Sequence, residues 1–139
     1  QVRRKCDLPM KLDECVTGIH MAQRIVADRG AEICCLKISN LGGLSKARRV
    51  RDYLVDNRIA VVSEDSWGGE ITTAAVAHFA ASTPEDWLVN TTDLMNYNTR
   101  STGIGGPTSA GGKLYPGDAP GLGVEPDFDS LGAAVRVYS

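Results

Sequence analysis

The chain has 139 residues, of which 42% are hydrophobic and 23% are charged, and its formal net charge is −2. This composition is typical of one globular domain and excludes the strong basic excess of a nucleic-acid-binding protein. It has no apolar run near the roughly 20 residues of a membrane span, so neither nucleic acid nor a membrane is an expected partner.

The cysteines favour a reduced protein. Cys34 and Cys35 are neighbours that would point to opposite faces of a strand, and none of the four cysteines forms a C-x-x-C pair. We therefore expect a cytoplasmic protein without disulfides, and no segment has the pattern of a signal peptide. The start at Gln1 rather than Met suggests a piece of a longer protein.

The first predicted unit is a strand followed by a helix. Residues 8–14 form the strand, which ends in the carboxylates Asp13 and Glu14. Thr17 is the expected N-cap of the helix, and Gly30 is the expected left-handed residue that ends it. The apolar side chains that recur at helical spacing are Ile19, Ala22, Ile25 and Val26.

The second predicted strand carries a lysine at its carboxyl end. It lies within residues 32–43, ends at Lys37 and is followed by a loop with two glycines. Side chains alternate between faces along a strand, so Cys35 shares the face of Lys37 while Cys34 lies on the other. Both faces are otherwise apolar, which is typical of a parallel sheet covered on both sides. A lysine there is unfavourable unless it is paired or used.

The next helix is predicted to be amphipathic, with Ser45 as its N-cap. Ala47, Val50 and Leu54 form its apolar stripe, which predicts that the opposite, basic face is solvated. A phosphate site on this face is the less favoured alternative. The basic residues are Lys46, Arg48, Arg49 and Arg51.

Two further strands complete the pattern. Residues 58–65 form the third strand, which ends in carboxylates before a glycine pair, and an alanine-rich helix runs from Ile71 to Ala81. Residues 87–93 form the fourth strand. Beyond Asn98 the chain is rich in glycine and proline, which predicts either an ordered extension over the scaffold or partly mobile loops.

A charged residue ends each of the four strands. These residues are separated by 24, 28 and 28 positions, close to the repeat of about 31 residues in a (β/α)8 barrel. Alternating strands and helices predict a parallel sheet, and barrel active sites form at the carboxyl ends of the strands. We expect about four of the eight units, with the others preceding Gln1. The four residues are Asp13, Lys37, Asp65 and Asp93.

Each strand end allows a functional and a structural interpretation. Asp13 and Glu14 could bind Mg²⁺ through oxygen ligands, or could form a solvated strand end or helix caps. Lys37 could be a general base or a Schiff-base nucleophile with a pKa lowered by burial and a neighbouring cation, or could pair with an acid across the sheet. Asp65 could orient Lys37 or transfer a proton, or could cap a turn.

Other candidate side chains carry weaker signals. Trp67 could line a substrate-binding pocket, although such a residue more often serves packing. His20 and His78 lie within predicted helices, so both are expected to be structural, with His78 bonded to a backbone group. The glycine pairs could bind phosphate at helix N-termini, but they lack the P-loop pattern.

Four motifs occur together in one order and spacing, and together they are more specific than any one alone. They are Leu12-Asp13-Glu14, residues 36–44, residues 64–69 with the alanine-rich residues 74–81, and residues 120–124. In this combination the chain resembles the mandelate racemase/muconate lactonizing enzyme family of the enolase superfamily. The resemblance implies an α+β capping domain and a modified (β/α)8 barrel. Residues 1–98 would form the second half of the barrel and residues 99–139 a C-terminal extension.

The resemblance also implies removal of the proton α to a carboxylate, with Mg²⁺ holding the enediolate. Asp13 matches the third Mg²⁺ ligand, Lys37 the acid/base lysine of the sixth strand, and Asp65 the acidic residue after the seventh strand. Asp93 matches, more loosely, an acid near a substrate ammonium. The other two metal ligands and a second lysine would lie in the half that this chain lacks. Lys11 stands where relatives usually carry an apolar residue.

Within that family, the motifs look most like members that act on proline derivatives. The implied reaction is dehydration of a small-molecule carboxylate such as cis-3-hydroxy-L-proline. Racemization or epimerization of proline or of hydroxyproline betaine is the alternative. Two lysines that face each other can remove and return a proton, and a β-hydroxyl group, where present, can leave instead.

Two other hypotheses remain. One is a Schiff-base lyase with Lys37 as the nucleophile, and the other is a non-catalytic half-barrel that serves in folding or assembly. Because most of the implied metal ligands are missing, we expect the isolated chain to be inactive. We also expect it to pair with the missing N-terminal half or with a copy of itself in a homo-oligomer, since exposed sheet edges favour pairing.

Overall fold

A four-stranded parallel sheet organises the chain, with its strands in sequence order. The computed structural model describes residues 2–138, so Gln1, where the expected missing units would join, and Ser139 lie outside the described residues. The strands are β1 (Lys11–Leu12), β2 (Ile33–Lys37), β3 (Ala60–Glu64) and β4 (Leu88–Thr91).

Helices connect successive strands of this sheet. This arrangement confirms the predicted α/β class and is that of consecutive units in a (β/α)8 barrel. Among residues 2–138, no helix has the length and apolar character needed to cross a membrane. The helices are α1 (Ile19–Ala27), α2 (Ile38–Leu41), α3 (Leu44–Asp56), α4 (Glu70–Ala81) and α5 (Phe128–Leu131).

The two faces of the sheet have different environments. Cys34, Leu36 and Val61 are fully buried in one core cluster with side chains of α1, α3 and α4. By the alternation of side chains along a strand, Cys35 and Lys37 point to the opposite face. We call this the inner face, since in a closed barrel it would point to the interior.

The register of β2 and β3 fixes which inner-face residues are neighbours. Lys37 lies opposite Glu64, and Cys35 lies opposite Val62. The register between β3 and β4 shifts after Val61, at an irregularity of the ladder. Because all of the strands are parallel, their carboxyl ends bring polar side chains of separate units to one edge of the sheet.

The predicted helix caps are wrong. Gly18 and Gly43 precede α1 and α3, and neither Thr17 nor Ser45 acts as a side-chain cap. At the end of α1, the positive φ of 49° belongs to Arg29 rather than to Gly30. The helix stops at Ala27, so the left-handed position falls one residue earlier, and the Arg29 and Gly30 N–H groups bond back to Val26 and Ile25 as in a Schellman motif.

Arg51 is the exception to the predicted solvated face of α3. It is buried, and its guanidinium donates to Asp52 Oδ1 at 2.7 and 2.9 Å and to Ser82 Oγ at 2.7 Å. The same group lies 5.3 Å from the centre of the Phe79 ring. The sequence pattern groups Arg51 with its basic neighbours, but its position in the helix turns it toward the end of α4.

The glycine- and proline-rich segment is ordered into two small antiparallel sheets. β5 (Gly103–Gly105) pairs with β8 (Val124–Pro126), and β6 (Thr108–Ala110) pairs with β7 (Lys113–Tyr115). Residues 103–126 of the segment therefore have regular structure, while the division of the chain at residue 98 stays a prediction.

Two contacts tie this extension to α4. The Glu70 carboxylate accepts the N–H and hydroxyl groups of Thr102, both at 2.9 Å. Burial raises the pKa of Glu70, but hydrogen bonds from Thr102, from Ser101 and from the N–H of Glu70 itself outweigh burial, so the pKa is lowered. His78 Nε2 lies 3.3 Å from the backbone oxygen of Leu122, a structural contact of the predicted kind.

Replacing Arg51 should destabilise the protein. Arg51→Ala removes several hydrogen bonds and a buried side chain, so we expect the free energy of unfolding to fall by about 2 to 3 kcal/mol. Arg49→Ala, at an exposed position of the same helix, is the control and should change it by less than about 0.5 kcal/mol. Urea denaturation measures both, and equal effects would contradict the buried role of Arg51.

Candidate functional site

Lys37 is the centre of the charged cluster at the carboxyl edge of the sheet. Its ammonium donates to a Glu14 carboxylate oxygen and lies 3.2 Å from Asp13 Oδ1. The side chain is only 9% exposed, whereas that of Glu14 is 73% exposed. The parallel pairing of β1 with β2 therefore brings one ammonium and two carboxylates together.

The carboxylates that contact Lys37 raise its pKa. The hydrogen bond to Glu14 raises it most, burial lowers it, and the negative charge of the nearby Asp13 carboxylate raises it further. The net result is a pKa above the usual lysine value, so the lysine is held as an ammonium. The predicted lowering needed a neighbouring cation, and the groups that contact Lys37 here are anions.

Asp13 has the property expected of a metal ligand. Its Oδ1 atom is buried and has no hydrogen-bond partner among the described residues, since the nearby ammonium of Lys37 lacks hydrogen-bond geometry toward it. Asp13 does not cap α1, which begins after Gly18. The one nearby ammonium, Lys37, is shared between Asp13 and Glu14, and the Glu64 carboxylate lies close to Asp13 as well. This excess of carboxylate oxygens around Asp13 fits a hard divalent cation.

Cys35 and Glu64 extend the cluster along the inner face. The Cys35 thiol donates to Glu64 Oε2 at 2.7 Å. One ligand atom each from Asp13, Cys35 and Glu64 lie within 4.8 Å of one another. Burial first, and then Glu64 and Asp13, raise the pKa of Cys35, so the thiol is neutral and acts as a hydrogen-bond donor.

Asp65 is bonded to the segment immediately after Lys37. Its carboxylate accepts the N–H of Ser39 at 3.0 Å, the Ser39 hydroxyl, and the N–H of Ser66 at 2.8 Å. No hydrogen bond or ion pair joins Asp65 to Lys37 within residues 2–138. The ends of β2 and β3 are neighbours as predicted, but Asp65 contacts Ser39, two residues after Lys37, and not Lys37 itself.

The other two candidates lie apart from this cluster. Trp67 is 71% exposed and stands edge-to-face to Tyr97, with ring centres 5.7 Å apart, beside a cavity of about 470 Å³. Asp93 accepts the N–H of Asn96 at 3.4 Å and also its side-chain amide, so it stabilises the turn after β4. Substrate contacts by Trp67 and Asp93 remain predictions.

Sequence patterns do not reveal the roles of several residues of the cluster. The sequence offers Glu14, together with Asp13, as a possible Mg²⁺ ligand. In the structure Glu14 is instead the closest partner of the Lys37 ammonium. The strand-end pattern selects Asp65 as the functional residue of β3 and overlooks Glu64. In the structure Glu64 is the residue that lies opposite Lys37, on the same face of the sheet. The sequence gives no indication of a role for Ser39, because that role depends on a hydrogen bond to Asp65, 26 residues later in the chain.

A family model places the chain among known proteins. Residues 1–130 match the model of enolase C-terminal domain-like proteins. Among proteins of assigned function, the chain is 41% identical over 138 residues to the cis-3-hydroxy-L-proline dehydratase of Roseibium aggregatum. That match covers 99% of this chain and 38% of the dehydratase, so the chain spans less than two fifths of the length of this relative.

Solved structures give the same relationship. The chain is similar to a mandelate racemase/muconate lactonizing enzyme from Roseovarius nubinhibens ISM, with a TM-score of 0.94 and 79% identity over 97% of this chain and 37% of that one. It is also similar to an enolase superfamily member from the same organism, solved in complex with magnesium. There the TM-score is 0.93 and the identity 31%, over 99% of this chain and 38% of that one.

The cysteines should differ strongly in reactivity. Burial, with a smaller effect of Cys15, raises the pKa of Cys34 to about 11, whereas Cys15 is exposed. At pH 8 only about one Cys34 thiol in 1,000 would be ionised, against roughly a quarter for an unperturbed thiol. Iodoacetamide followed by peptide mass spectrometry should therefore modify Cys15 at least about 100-fold faster than Cys34 or Cys35.

In denaturant all of these cysteines should react at similar rates, which provides the control. Equal rates in the folded protein would contradict the buried, neutral state of Cys34 and Cys35. Raising the pH toward 11 should accelerate Cys34, because its thiolate forms only there.

Proposed function

The chain belongs to the enolase C-terminal domain-like family, whose relatives include mandelate racemase/muconate lactonizing enzymes, and we propose that the protein removes the proton α to a carboxylate. The observation that carries this proposal is the pairing at one strand edge of a nearly buried ammonium, Lys37, with a carboxylate, Asp13, whose buried oxygen lacks a hydrogen bond. These are the group that moves a proton and the group that can hold a cation.

Asp13 is the residue of this chain that would hold Mg²⁺, through its Oδ1 atom. When bound, Mg²⁺ would offset the negative charge that develops on the carboxylate oxygens of the substrate. An enolase superfamily neighbour was solved with magnesium, which supports this choice of metal. The remaining ligands would come from residues outside this chain.

Lys37 would carry the proton. In the ammonium form that Glu14 and Asp13 favour, it can deliver a proton to carbon or to a leaving hydroxyl group. To remove a proton it must first become neutral, which requires a weaker hold by the carboxylates. Glu14 is suited to release the lysine, because its side chain is mostly exposed and its only other hydrogen bond among the described residues is a long one, 3.4 Å, from the Asn40 side-chain amide.

The proposed substrate is a hydroxyproline, with dehydration of cis-3-hydroxy-L-proline as the reaction. The 41% identity to a dehydratase of that substrate supports it. Epimerization of a proline derivative begins with the same proton removal but ends with return of a proton to the α-carbon instead of loss of a hydroxyl group. A Schiff-base lysine would need the same neutral form as a general base, so the pKa of Lys37 does not separate the two roles. The similarity to a dehydratase and to a mandelate racemase/muconate lactonizing enzyme favours proton transfer.

Asp65, Asp93 and Trp67 complete the proposed site. Asp65 would support Lys37, while Asp93 and Trp67 would face the substrate from the loops after β4 and β3. We also keep the division into a half-barrel of residues 1–98 and an extension of residues 99–139. The other half of the barrel and the capping domain would be the partners of this chain.

Lys37 should be required for exchange of the substrate α-proton. In D₂O with Mg²⁺, the full-length protein, with the other half of its barrel present, should incorporate deuterium at the α-carbon of cis-3-hydroxy-L-proline or a related proline derivative. Lys37→Ala should lower this rate by at least about 1,000-fold, since it removes the proton carrier. Lys46→Ala, which changes an exposed lysine on α3, should keep the rate within about twofold.

The products then separate the two reactions: loss of water identifies a dehydratase, and inversion at the α-carbon identifies an epimerase. Exchange that persists in the folded Lys37→Ala protein would overturn the role of Lys37. No exchange by the folded wild-type protein with any proline derivative would remove the proposed substrate class.

Asp13 should be required for Mg²⁺ binding. Asp13→Asn removes the negative charge from the buried oxygen, so we expect the Kd for Mg²⁺ to rise by at least about tenfold. Isothermal titration calorimetry on the metal-free full-length protein measures this without any substrate. Asp28→Asn, at an exposed position after α1, is the control and should bind as the wild type does, whereas equal binding by Asp13→Asn would contradict the assignment.

A further inference from the structure

The residue that the proposed chemistry uses stands where a helix cap would normally be. β2 ends at Lys37, and α2 begins at the next residue, so Lys37 occupies the N-cap position of α2. N-cap positions favour Ser, Thr, Asp or Asn, whose side-chain oxygens accept the free N–H groups of the first turn. A lysine has only donors and does not perform this function.

Asp65 supplies the missing cap from the next strand. Its Oδ2 atom accepts the Ser39 N–H at 3.0 Å, which is the bond that an N-cap side chain would make to the second residue of the helix. Its Oδ1 atom accepts the Ser39 hydroxyl and the Ser66 N–H. Asp65 is itself buried, so its carboxylate depends on these donors.

The hydrogen bonds between Asp65 and Ser39 hold the backbone on the carboxyl-terminal side of Lys37. On its own strand, Lys37 is fixed by the register opposite Glu64. Immediately beyond it, α2 has one turn only, with Ile38 and Leu41 buried and a left-handed Gly42 at its end. A helix this short is not stable by itself, so its first turn depends on the bonds to Asp65.

We propose that Ser39 is a positioning residue for Lys37. Its N–H and hydroxyl groups bind both oxygens of Asp65 and so fix the turn from which the lysine side chain projects. The proposal rests on the proposed function insofar as Lys37 moves the proton. It also gives Asp65 a different task from direct proton transfer, since both carboxylate oxygens are occupied by donors from Ser39 and Ser66.

The first test is the kinetics of Ser39→Ala in α-proton exchange. The variant keeps the backbone bond and loses the hydroxyl bond, so we expect kcat to fall by about tenfold while KM stays within twofold. A misplacement of about 1 Å at a catalytic group is sufficient for losses of this size. Ser39→Thr retains a hydroxyl group and should recover most of the rate.

Ser66→Ala is the matched control. It is also an exposed serine beside Asp65, and its bond to the carboxylate comes from the backbone, which the substitution leaves in place. Its kcat and thermal stability should match the wild type. If Ser39→Ala behaves as Ser66→Ala does while Lys37→Ala abolishes exchange, the positioning role is wrong and the proposed function stands.

A double-mutant cycle separates positioning from direct catalysis by Asp65. If Asp65 acts through Ser39, the Ser39→Ala substitution should have little further effect on kcat in an Asp65→Ala background. Independent, multiplicative losses would mean that Asp65 acts on the substrate directly and would overturn the proposal.

A structural measurement tests the inference even when no substrate reacts. Crystal structures of the protein and of Ser39→Ala should differ at the Lys37 ammonium, which should shift by about 1 Å or take several positions in the variant. An unchanged Lys37 in Ser39→Ala would refute the positioning role. A shifted Lys37 in a protein without exchange activity would leave the positioning role in place and refute the proposed function alone.

Discussion

The structure depends on keeping one ammonium group charged in a nearly buried position. Lys37 ends β2, one of the two inner strands of the sheet, and the ends of both neighbouring strands supply carboxylates. A lone lysine there would lose its proton or unfold the strand end, because burial penalises the charged form. The contacts with Glu14 and Asp13 reverse that penalty. The loops after the strands therefore have to keep these acids in place.

Because the strands are parallel and lie in sequence order, residues that are distant in the sequence form one cluster at their carboxyl ends. Asp13, Lys37 and Glu64 come from three successive units and meet because all strands end at the same edge. The opposite face of the same strands is apolar and packs on the helices, so it fixes the register without taking part in chemistry. A one-residue slip would exchange Lys37 for Leu36 at this edge.

Periodicity in the sequence is sufficient to predict the sheet and its polar edge. The alternation in β2 and the regular spacing of Asp13, Lys37, Asp65 and Asp93 predict a parallel α/β unit, and the structure has it. Contacts between units cannot be predicted in the same way. The choice of Glu14 as the closest partner of Lys37 depends on the path of the loop after β1, which no local pattern encodes.

Helix ends are the least predictable part of the fold. Thr17 and Ser45 have the residue types of caps, yet glycines take those positions, and Asp65 caps a helix from another strand. The burial of Arg51 could not be predicted from the sequence either, because its partners lie at the end of α4 as well as on its own helix. Such contacts override local propensity and become visible only in three dimensions.

The formal charges of the cluster connect the fold with the proposed chemistry. Asp13, Glu14 and Glu64 carry three negative charges, and Lys37 carries one positive charge, so these four side chains have a formal excess of two negative charges. Glu14 and Glu64 each have a donor, from Lys37 and Cys35, whereas Asp13 Oδ1 has none among the described residues. Both the sign of the excess and the atom left without a partner favour a divalent cation at Asp13. Neutralising Asp13 in this way would also remove one of the two anions that hold Lys37 as an ammonium, so metal binding and the release of the proton carrier would be coupled through a single carboxylate.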